Sequence, residues 1–193
     1  TTEVAGELGV EFLTLYAFST ENWNRPKLEV NALMTLLVNT LGKEIKNLDK
    51  NNVRLQAIGQ LENLPKSCFN ELQECIKYTQ HNPGLVLTLA LRSGGKEEIL
   101  DAVRALVKDC QSGKINLENI DTSLFSNYLY TAEIPDPELM IRTSGEQRTS
   151  NFLLWQLAYA ELYFTPVLWP DFRKAHFYQA IIEFQQRERR FGK

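Results

Sequence analysis

The sequence predicts an α/β fold in which a mostly parallel central sheet is covered by helices on both faces. Short apolar runs alternate along the chain with longer segments whose apolar residues recur at helical spacing. This alternation is typical of strand-helix-strand units that build a parallel sheet. The chain has 193 residues and is 44% hydrophobic, which suffices to bury one sizeable core. A single domain over residues 1–193 is therefore expected.

Five apolar runs have the length expected of strands. Residues 1–9 are expected to end a helix that leads into the first of them. The predicted strands are Phe12–Ser19, Val53–Gly59, Leu85–Leu91, Leu139–Thr143 and Leu162–Leu168.

The segments between and after these runs are predicted to be helices. Pro26–Asn51 has apolar residues at helical spacing, and Pro26 suits a first helical turn. Asn151 is a good N-cap for a segment that is apolar almost all round, so a buried helix is expected over Asn151–Ala160. The other predicted helices are Pro65–Gln80, Lys96–Gln111, Leu117–Leu129 and Arg173–Arg190.

Composition excludes several classes of protein. The net charge of −3 gives no electrostatic reason to bind nucleic acid. No stretch approaches the roughly 20 apolar residues that span a bilayer, so a soluble protein is expected. Three cysteines and two histidines, without paired ligand spacing, favour neither a zinc site nor a disulfide framework. This pattern suits a reducing cytoplasm.

Two arginines flank a Ser-Gly turn near the fourth predicted strand. Arg142 ends the apolar run, and Arg148 and Ser150 follow the turn at Ser144 and Gly145. Guanidinium groups bind phosphate through a planar fork of donors, and a loop that enters a helix adds backbone N–H groups. The spacing favours a diphosphate site, although a solvated turn with surface arginines would have the same pattern.

An acid follows the apolar segment that begins at Asn151. Glu161 precedes Leu162, Tyr163 and Phe164, and a carboxylate near a buried element needs a cation, an arginine or a helix N-terminus as its partner. Magnesium is the usual cation beside phosphates. A magnesium ligand and a structural salt bridge are both open readings of Glu161.

A second polar loop follows the first predicted strand. Residues 19–26 supply short polar groups and Arg25, a composition that by itself is also typical of an Asn-rich turn. Ligands of parallel α/β sheets bind beyond the carboxyl ends of the strands. Residues 19–25 and 142–150 both lie at such ends, so we expect them to form one shared site.

Three blocks of the sequence resemble the cis-prenyltransferases, specifically the bacterial undecaprenyl diphosphate synthases. They are LTLYAFSTENWNRP at 13–26, the segment DPELMIRTSGEQRTSNFLLWQLAYAELYFTPVLWPD at 136–171, and RERRFGK at 187–193. The blocks are long and ordered, and the resemblance runs along essentially the whole chain.

This resemblance implies an enzyme that condenses isopentenyl diphosphate onto farnesyl diphosphate with cis double bonds, using Mg²⁺. The product would be a long polyprenyl diphosphate, with undecaprenyl diphosphate for a cell-wall carrier lipid as the expected product. A homodimer is expected from the apolar region at 161–170 and from the terminal Arg-x-Gly motif, which in the family reaches across the dimer interface. Transient membrane contact for product release is also expected.

The resemblance also implies roles for individual residues. Ser19 and Asn22 would lie near the proton that is lost, and Glu161 would join the magnesium environment. The residues expected to bind the allylic substrate are Glu21, Trp23 and Arg25; those expected to hold isopentenyl diphosphate are Arg142, Arg148 and Ser150; and Arg190 and Gly192 form the terminal motif.

Two departures from the family pattern qualify these expectations. The family carries an Asp-Gly-Asn-Gly-Arg motif on an earlier strand and helix, which residues 1–193 lack. The chain is therefore expected to be a fragment, or to lack a first segment, with one substrate position incomplete. Arg92 and Ser93 replace an aromatic-containing pair, so no catalytic role is expected there.

Other functions fit the residues less well. A noncatalytic subunit of a two-component prenyltransferase typically lacks site residues that are present here, and a shorter-chain synthase differs only in product length. A different phosphate-binding α/β protein, such as a nucleotide enzyme, would need a glycine loop that the sequence lacks.

Overall fold

The computed structural model of the protein describes residues 1–188 and has the predicted α/β architecture. Every strand pairing within the described part of the chain is parallel. The helices are α1 Thr2–Glu7, α2 Lys27–Lys50, α3 Lys66–Thr79, α4 Gly95–Gln111, α5 Thr122–Ser126 and α6 Lys174–Gln185; the strands are β1 Phe12–Ser19, β2 Arg54–Ile58, β3 Val86–Ser93, β4 Leu139–Arg142 and β5 Glu161–Phe164.

The first three strands form one sheet in the order β1-β3-β2. The central strand β3 is buried along nearly its whole length, as expected for a strand that has neighbours on both edges and helices on its faces. Phe12 pairs with Val86 and Ser19 pairs with Ser93. The carboxyl ends of β1 and β3 therefore lie side by side, and the polar loop after Ser19 begins at this edge.

The last two strands form a second sheet. Leu139 pairs with Glu161, and Arg142 pairs with Phe164. This register places Arg142 at the carboxyl end of β4 and Glu161 at the amino end of β5. The two residues lie about 10 Å apart along the strand direction, because a strand rises about 3.3 Å per residue.

A cavity of about 670 Å³ separates the two sheets. Leu13 and Leu15 of β1 and Leu139 and Ile141 of β4 line opposite sides of it. Within residues 1–188, no strand pairs with the edges of β1 and β4 that border this cavity. Contacts between side chains and loops, rather than a strand ladder, therefore hold the two sheets together in the described part of the chain.

The main core lies between the first sheet and the helices α2 and α3. Met34 of α2, Leu72 of α3 and Leu55 of β2 are almost completely buried there. At 25 cal/mol per Å² of apolar surface, each such side chain contributes roughly 1.5–3 kcal/mol on burial. None of the described helices is long and apolar enough to cross a membrane.

Most predicted elements are confirmed, but the helix predicted over Asn151–Ala160 is wrong. Ser150, Asn151 and Leu153 have φ angles of 52°, 62° and 44°, and the segment forms successive turns. Left-handed backbone cannot continue a right-handed helix. The burial predicted for the segment holds for Leu153 and for Gln156, but Tyr159 is exposed.

Three other predicted boundaries differ. Leu117–Leu129 is not one helix: a 3₁₀ turn at Leu117–Asn119 precedes α5, whose N-cap Asp121 accepts a hydrogen bond from Leu124 N. The fifth strand ends at Phe164, before Pro166, instead of at Leu168. The helix α6 ends at Gln185, and the rest of the predicted helix reaches beyond the described residues.

Candidate active site

The two predicted polar loops meet in one cavity of about 530 Å³. One wall comes from the first sheet and its following turn, and the other comes from the second sheet and its following loop. The lining residues are Tyr16, Ser19, Glu21, Asn22, Arg142, Ser150 and Asn151. The structure therefore brings Ser19, Glu21, Asn22, Arg142 and Ser150 together as expected, while their roles as site residues stay predictions.

Ser19 and Asn22 hold each other in place. Asn22 Oδ1 accepts hydrogen bonds from Ser19 Oγ at 2.9 Å and from Ser19 N at 3.0 Å, and Asn22 N donates to Ser19 Oγ at 3.3 Å. These bonds close the 3₁₀ turn Glu21–Asn24 directly after β1. Since Oδ1 of Asn22 faces Ser19, the Nδ2 group is left as a donor beside the cavity.

Arg142 brings a buried donor to the opposite wall. Its Nε is buried and has no hydrogen-bond partner among the described residues. A buried donor without an acceptor costs about 1–3 kcal/mol, so the structure favours an acceptor supplied by a ligand. A phosphate oxygen matches both the charge and the planar donor geometry of a guanidinium group.

Tyr16 forms the floor between the two walls. Its hydroxyl donates to Ser93 O at 3.0 Å and its ring stacks on Phe152 with centroids 4.2 Å apart. Burial, followed by the nearby Glu21 carboxylate, raises the pKa of Tyr16 to about 12. Tyr16 therefore remains a neutral hydrogen-bonding group at physiological pH.

Asn151 was not predicted as a site residue, yet its side chain makes three hydrogen bonds at the cavity. Its Nδ2 donates to Glu21 Oε1 at 2.9 Å and to Glu97 Oε2 at 3.0 Å, and its Oδ1 accepts from Lys96 N at 2.9 Å. Asn151 therefore caps the distant helix α4 and not a helix of its own. Its capping preference was visible in the sequence, but the helix that it caps was not.

The hydrogen bond from Asn151 stabilises the ionised form of Glu21. Burial by itself would raise the pKa of Glu21, but hydrogen bonds from Asn151 and from nearby backbone and hydroxyl groups hold that pKa below its usual range. Glu21 is thus a carboxylate at neutral pH. The cavity combines one fixed carboxylate with the guanidinium of Arg142.

Two of the predicted substrate-binding arginines lie outside the cavity lining. Arg25 pairs with Glu29 at 2.7 Å and Arg148 pairs with Glu146, and both arginine side chains are more than half exposed. Exposed ion pairs of this kind contribute about 0–1 kcal/mol. A more strongly charged partner such as a diphosphate can therefore displace the glutamates at little cost.

The backbone of the Ser-Gly turn does not supply the anion donors that the sequence suggested. Ser144 N donates to Val167 O at 2.8 Å and Gly145 N donates to Thr165 O at 2.9 Å. No helix begins at Asn151, so a helix N-terminus is not available there either. The N–H groups of Ser144 and Gly145 are therefore engaged by carbonyl groups of the protein.

Trp23, which was predicted to bind substrate, does not line this cavity and packs against the main core. Its ring packs edge-on against Phe18, with centroids 5.9 Å apart, and the Arg92 guanidinium lies 4.7 Å above the ring centroid. Arg92 Nε also donates to Gln60 Oε1 at 3.2 Å. Arg92, which departs from the family pattern, therefore supports Trp23 by a cation–π contact.

Glu161 lies apart from this cavity. Its Oε2 accepts a hydrogen bond from Arg187 Nη1 at 2.9 Å, so the salt bridge that the sequence allowed is present. No group of three metal-ligating side chains occurs among residues 1–188. Arg190 and Gly192 of the terminal motif lie outside the described residues.

Comparison with known proteins agrees with this architecture. A family model described as "Putative undecaprenyl diphosphate synthase" matches residues 1–192. The chain is 54% identical to an isoprenyl transferase of Clostridium tetani over 96% of this chain and 72% of that protein. It is 52% identical to an isoprenyl transferase of Bacillus subtilis over 100% of this chain and 74% of that protein.

Solved structures give the same result. The fold matches a crystal structure of lavandulyl diphosphate synthase from Lavandula x intermedia in complex with dimethylallyl diphosphate, with a TM-score of 0.96, 36% identity, and coverage of 100% of this chain and 83% of that chain. It matches a probable undecaprenyl diphosphate synthase from Campylobacter jejuni with a TM-score of 0.88, 37% identity, and coverage of 100% and 88%. The chain therefore belongs to the undecaprenyl diphosphate synthase family of cis-prenyltransferases, and it is an enzyme of this type.

Proposed function

We propose that the protein condenses isopentenyl diphosphate units onto farnesyl diphosphate with cis double bonds and makes undecaprenyl diphosphate, the precursor of a cell-wall carrier lipid. The observation that carries this proposal is the buried Nε of Arg142, which lacks an acceptor in the same cavity as Ser19 and Asn22. A diphosphate oxygen supplies that acceptor. Ser19 and Asn22, on the opposite wall, then lie close to a substrate held by Arg142.

The chemistry follows from the charges that develop. The allylic C–O bond breaks, the bonding electrons leave with the diphosphate, and an allylic cation remains. The double bond of isopentenyl diphosphate attacks this cation, and a proton leaves the resulting carbocation to form the new double bond. Guanidinium groups stabilise the departing anion, and holding both substrates in one cavity supplies the proximity contribution.

Each side chain of the cavity has a task in this scheme. Arg142 binds the diphosphate of isopentenyl diphosphate, and Ser150 adds a hydroxyl on the same wall. Ser19 and Asn22 form a preorganised pair whose Oγ and Nδ2 groups face the region in which the proton is lost. Because their mutual hydrogen bonds fix both side chains, little reorganisation is needed when the charge moves.

Arg25 and Arg148 complete the electrostatic environment by exchanging partners. We propose that Arg25 leaves Glu29 for the allylic diphosphate, and that Arg148 leaves Glu146 for the diphosphate of isopentenyl diphosphate. Both arginines are exposed and lie close in sequence to cavity residues. Their contributions should fall as ionic strength rises, because exposed charges are screened by salt.

We propose that magnesium enters with the diphosphates. Magnesium keeps several waters and usually binds through one or two carboxylates together with substrate phosphates. Glu161 can take part in this environment only after it releases Arg187, which holds it in the structure. Bound magnesium would supply positive charge against the two diphosphates.

Growth of the product explains why a long chain is expected to leave slowly. Burial of each CH₂ group contributes about 0.8 kcal/mol to the binding free energy of the product. Each added five-carbon unit therefore strengthens binding by roughly 3 to 4 kcal/mol. Such a product favours transient contact of the protein with a membrane during release. We place the enzyme in the cytoplasm, where the free thiols of Cys68, Cys75 and Cys110 remain reduced.

A chain-elongation assay tests the proposal. Residues 1–193 are compared with a chimera in which they replace the matching 192 residues of the Bacillus subtilis relative, because the Asp-Gly-Asn-Gly-Arg motif is absent from residues 1–193. With farnesyl diphosphate and radiolabelled isopentenyl diphosphate, the chimera should form a long cis product and residues 1–193 little product.

Separation of the products by chain length distinguishes undecaprenyl diphosphate from shorter chains. A folded chimera that binds isopentenyl diphosphate but forms no prenyl product would contradict the proposed reaction. Equal activity of the two proteins would show that the motif is dispensable.

A further inference from the structure

The two walls of the cavity come from two sheets that share no strand pairing in the described part of the chain. The first wall carries Ser19, Glu21 and Asn22, and the second carries Arg142 and Ser150. Contacts that cross between these walls fix their separation in the described residues. Hydrogen bonds of Asn151 span this boundary.

Asn151 contacts two elements at once, the turn after β1 and the helix α4. Its side-chain amide donates to Glu21 on the turn after β1 and to Glu97 on α4, and its Oδ1 accepts from the Lys96 amide. Its backbone carbonyl accepts from Gly95 N at 2.5 Å. Asn151 directly follows Ser150. These four bonds therefore fix the end of the loop at residues 142–150 against the opposite wall.

The backbone at this point requires a particular residue type. Asn151 has a φ of 62°, and the preceding Ser150 has a φ of 52°. Among residues with a side chain, asparagine and aspartate adopt this left-handed region most readily. Aspartate would keep the Oδ1 acceptor for α4, but it would replace the Nδ2 donor by an anion between Glu21 and Glu97.

The Asn151 amide lies close to the backbone of Gly94. A Cβ atom placed on Gly94 would lie 2.9 Å from Asn151 Nδ2 and 2.3 Å from Glu97 Oε2. The amide is therefore enclosed by Gly94 and two carboxylates. A carboxylate at this position would repel both acids, whereas the Asn151 amide donates to each of them.

We propose that Asn151 is a positioning residue that joins the two walls of the cavity and so sets the geometry of the isopentenyl diphosphate site. This inference rests on the proposed function. Asn151 acts through Ser150 and Glu21: it keeps the Arg142 wall in register with the Ser19–Asn22 pair. Its role differs from that of an ordinary helix cap. An ordinary cap affects only the stability of its helix, whereas Asn151 also holds the two walls of the cavity in position.

The test compares substitutions that separate the two halves of the side chain. Asn151→Asp keeps the acceptor for Lys96 N and loses the donor to the two glutamates, whereas Asn151→Ala loses both. Asn116→Ala is the matched control, because Asn116 caps the 3₁₀ turn at Leu117–Asn119 through Glu118 N and does not line the cavity. Isopentenyl diphosphate affinity and thermal midpoint are measured for each variant of residues 1–193.

We expect at least a tenfold loss of affinity in Asn151→Asp, with a thermal midpoint above that of Asn151→Ala. Asn116→Ala should bind as tightly as the unmodified protein. Combining Asn151→Asp with Glu97→Gln restores a donor opposite the new carboxylate, so affinity should return toward the unmodified value. A purely structural cap would show no such rescue.

Unchanged affinity in Asn151→Asp would overturn the inference, and so would an equal loss in Asn116→Ala. These results differ from failure of the proposed function, which would appear as absence of isopentenyl diphosphate binding by the unmodified protein itself.

Discussion

Tyr16 and Phe152 stack with their ring centroids 4.2 Å apart and thereby join the two parallel sheets across the base of the active site. Tyr16 belongs to β1, whereas Phe152 lies in the loop between β4 and β5. An aromatic pair contributes about 0.5–1.5 kcal/mol beyond its buried area. This contact and the hydrogen bonds of Asn151 hold together a cavity whose walls belong to separate sheets.

Replacing Gly94 by alanine should damage this junction. The added Cβ would lie 2.3 Å from Glu97 Oε2 and 2.5 Å from Thr20 Oγ1, and the backbone at Gly94 is extended, so the cost comes from space and not from φ. We expect a loss of roughly 1–3 kcal/mol in the free energy of unfolding, the range for overpacking. Urea denaturation measures it.

Gly6→Ala is the control for this substitution. Gly6 lies in α1 with nothing within 4 Å of an added Cβ, so alanine should stabilise the protein by about 0.5–1 kcal/mol. Equal effects of the two substitutions would show that the junction at Gly94 is not tightly packed.

Glu98 should make stability fall as pH rises. It is 1% exposed and accepts hydrogen bonds from Tyr130 N and Gln156 Nε2. Burial raises the pKa of Glu98 above 4.5, despite these hydrogen bonds. The folded protein therefore holds this proton more tightly than the unfolded chain does. The contribution of Glu98 to the free energy of unfolding is fully present below about pH 4.5 and is lost as pH rises through the folded-state pKa.

Glu98→Gln tests this pH dependence. The amide keeps an acceptor for both donors and does not titrate, so the decline attributed to Glu98 should disappear. The measurement is the difference in the free energy of unfolding between the two proteins from pH 4 to pH 8, because other carboxyls titrate alike in both. A constant difference over this range would contradict the assignment.

The sequence predicted the alternating elements well and the loop before β5 poorly. Periodicity located β1 and α2 to within a residue or two, because burial of one face is a local signal. The turns at residues 151–160 depend instead on Tyr16, Ser126 and the amino end of α4, which are distant in sequence. An apolar segment with an asparagine at its start has the same local pattern whether it caps itself or another helix.

The site was predictable to a similar degree. Polar residues at strand ends indicated Ser19, Asn22, Arg142 and Ser150, since the carboxyl ends of parallel strands meet at one edge. The pairing of Glu161 with Arg187 could not be predicted, because it depends on the course of the chain after α6.

Turnover should require a divalent cation. Two diphosphates and the carboxylate of Glu21 bring together more negative charge than the guanidinium groups of Arg142, Arg25 and Arg148 can balance. Chelation with EDTA should abolish elongation by the chimera, and added magnesium should restore it. Elongation at the full rate in EDTA would rule out this part of the account.

The protein should form a homodimer. Leu168 is 55% exposed and Trp169 is 49% exposed within the apolar segment that follows β5, and patches of this kind often mark protein interfaces. Light scattering at micromolar concentration should give twice the chain mass of 22.2 kDa.

Leu168→Glu should shift this dimer toward the monomer. Leu117→Glu is the control, because Leu117 is 71% exposed but lies on the 3₁₀ turn before α5. A stable monomer of the unmodified protein at micromolar concentration would contradict the expectation of a dimer.

The binding of isopentenyl diphosphate by residues 1–193, measured calorimetrically with and without Arg142→Met, tests the central claim most directly. Loss of this guanidinium, whose Nε is buried, should weaken binding by roughly 2 to 5 kcal/mol, the range for truncating one partner of a desolvated charge pair. Arg148→Ala should cost only about 1 kcal/mol, because Arg148 is exposed and already paired. Equal affinity of the Arg142→Met variant and the unmodified protein would show that this cavity is not the diphosphate site.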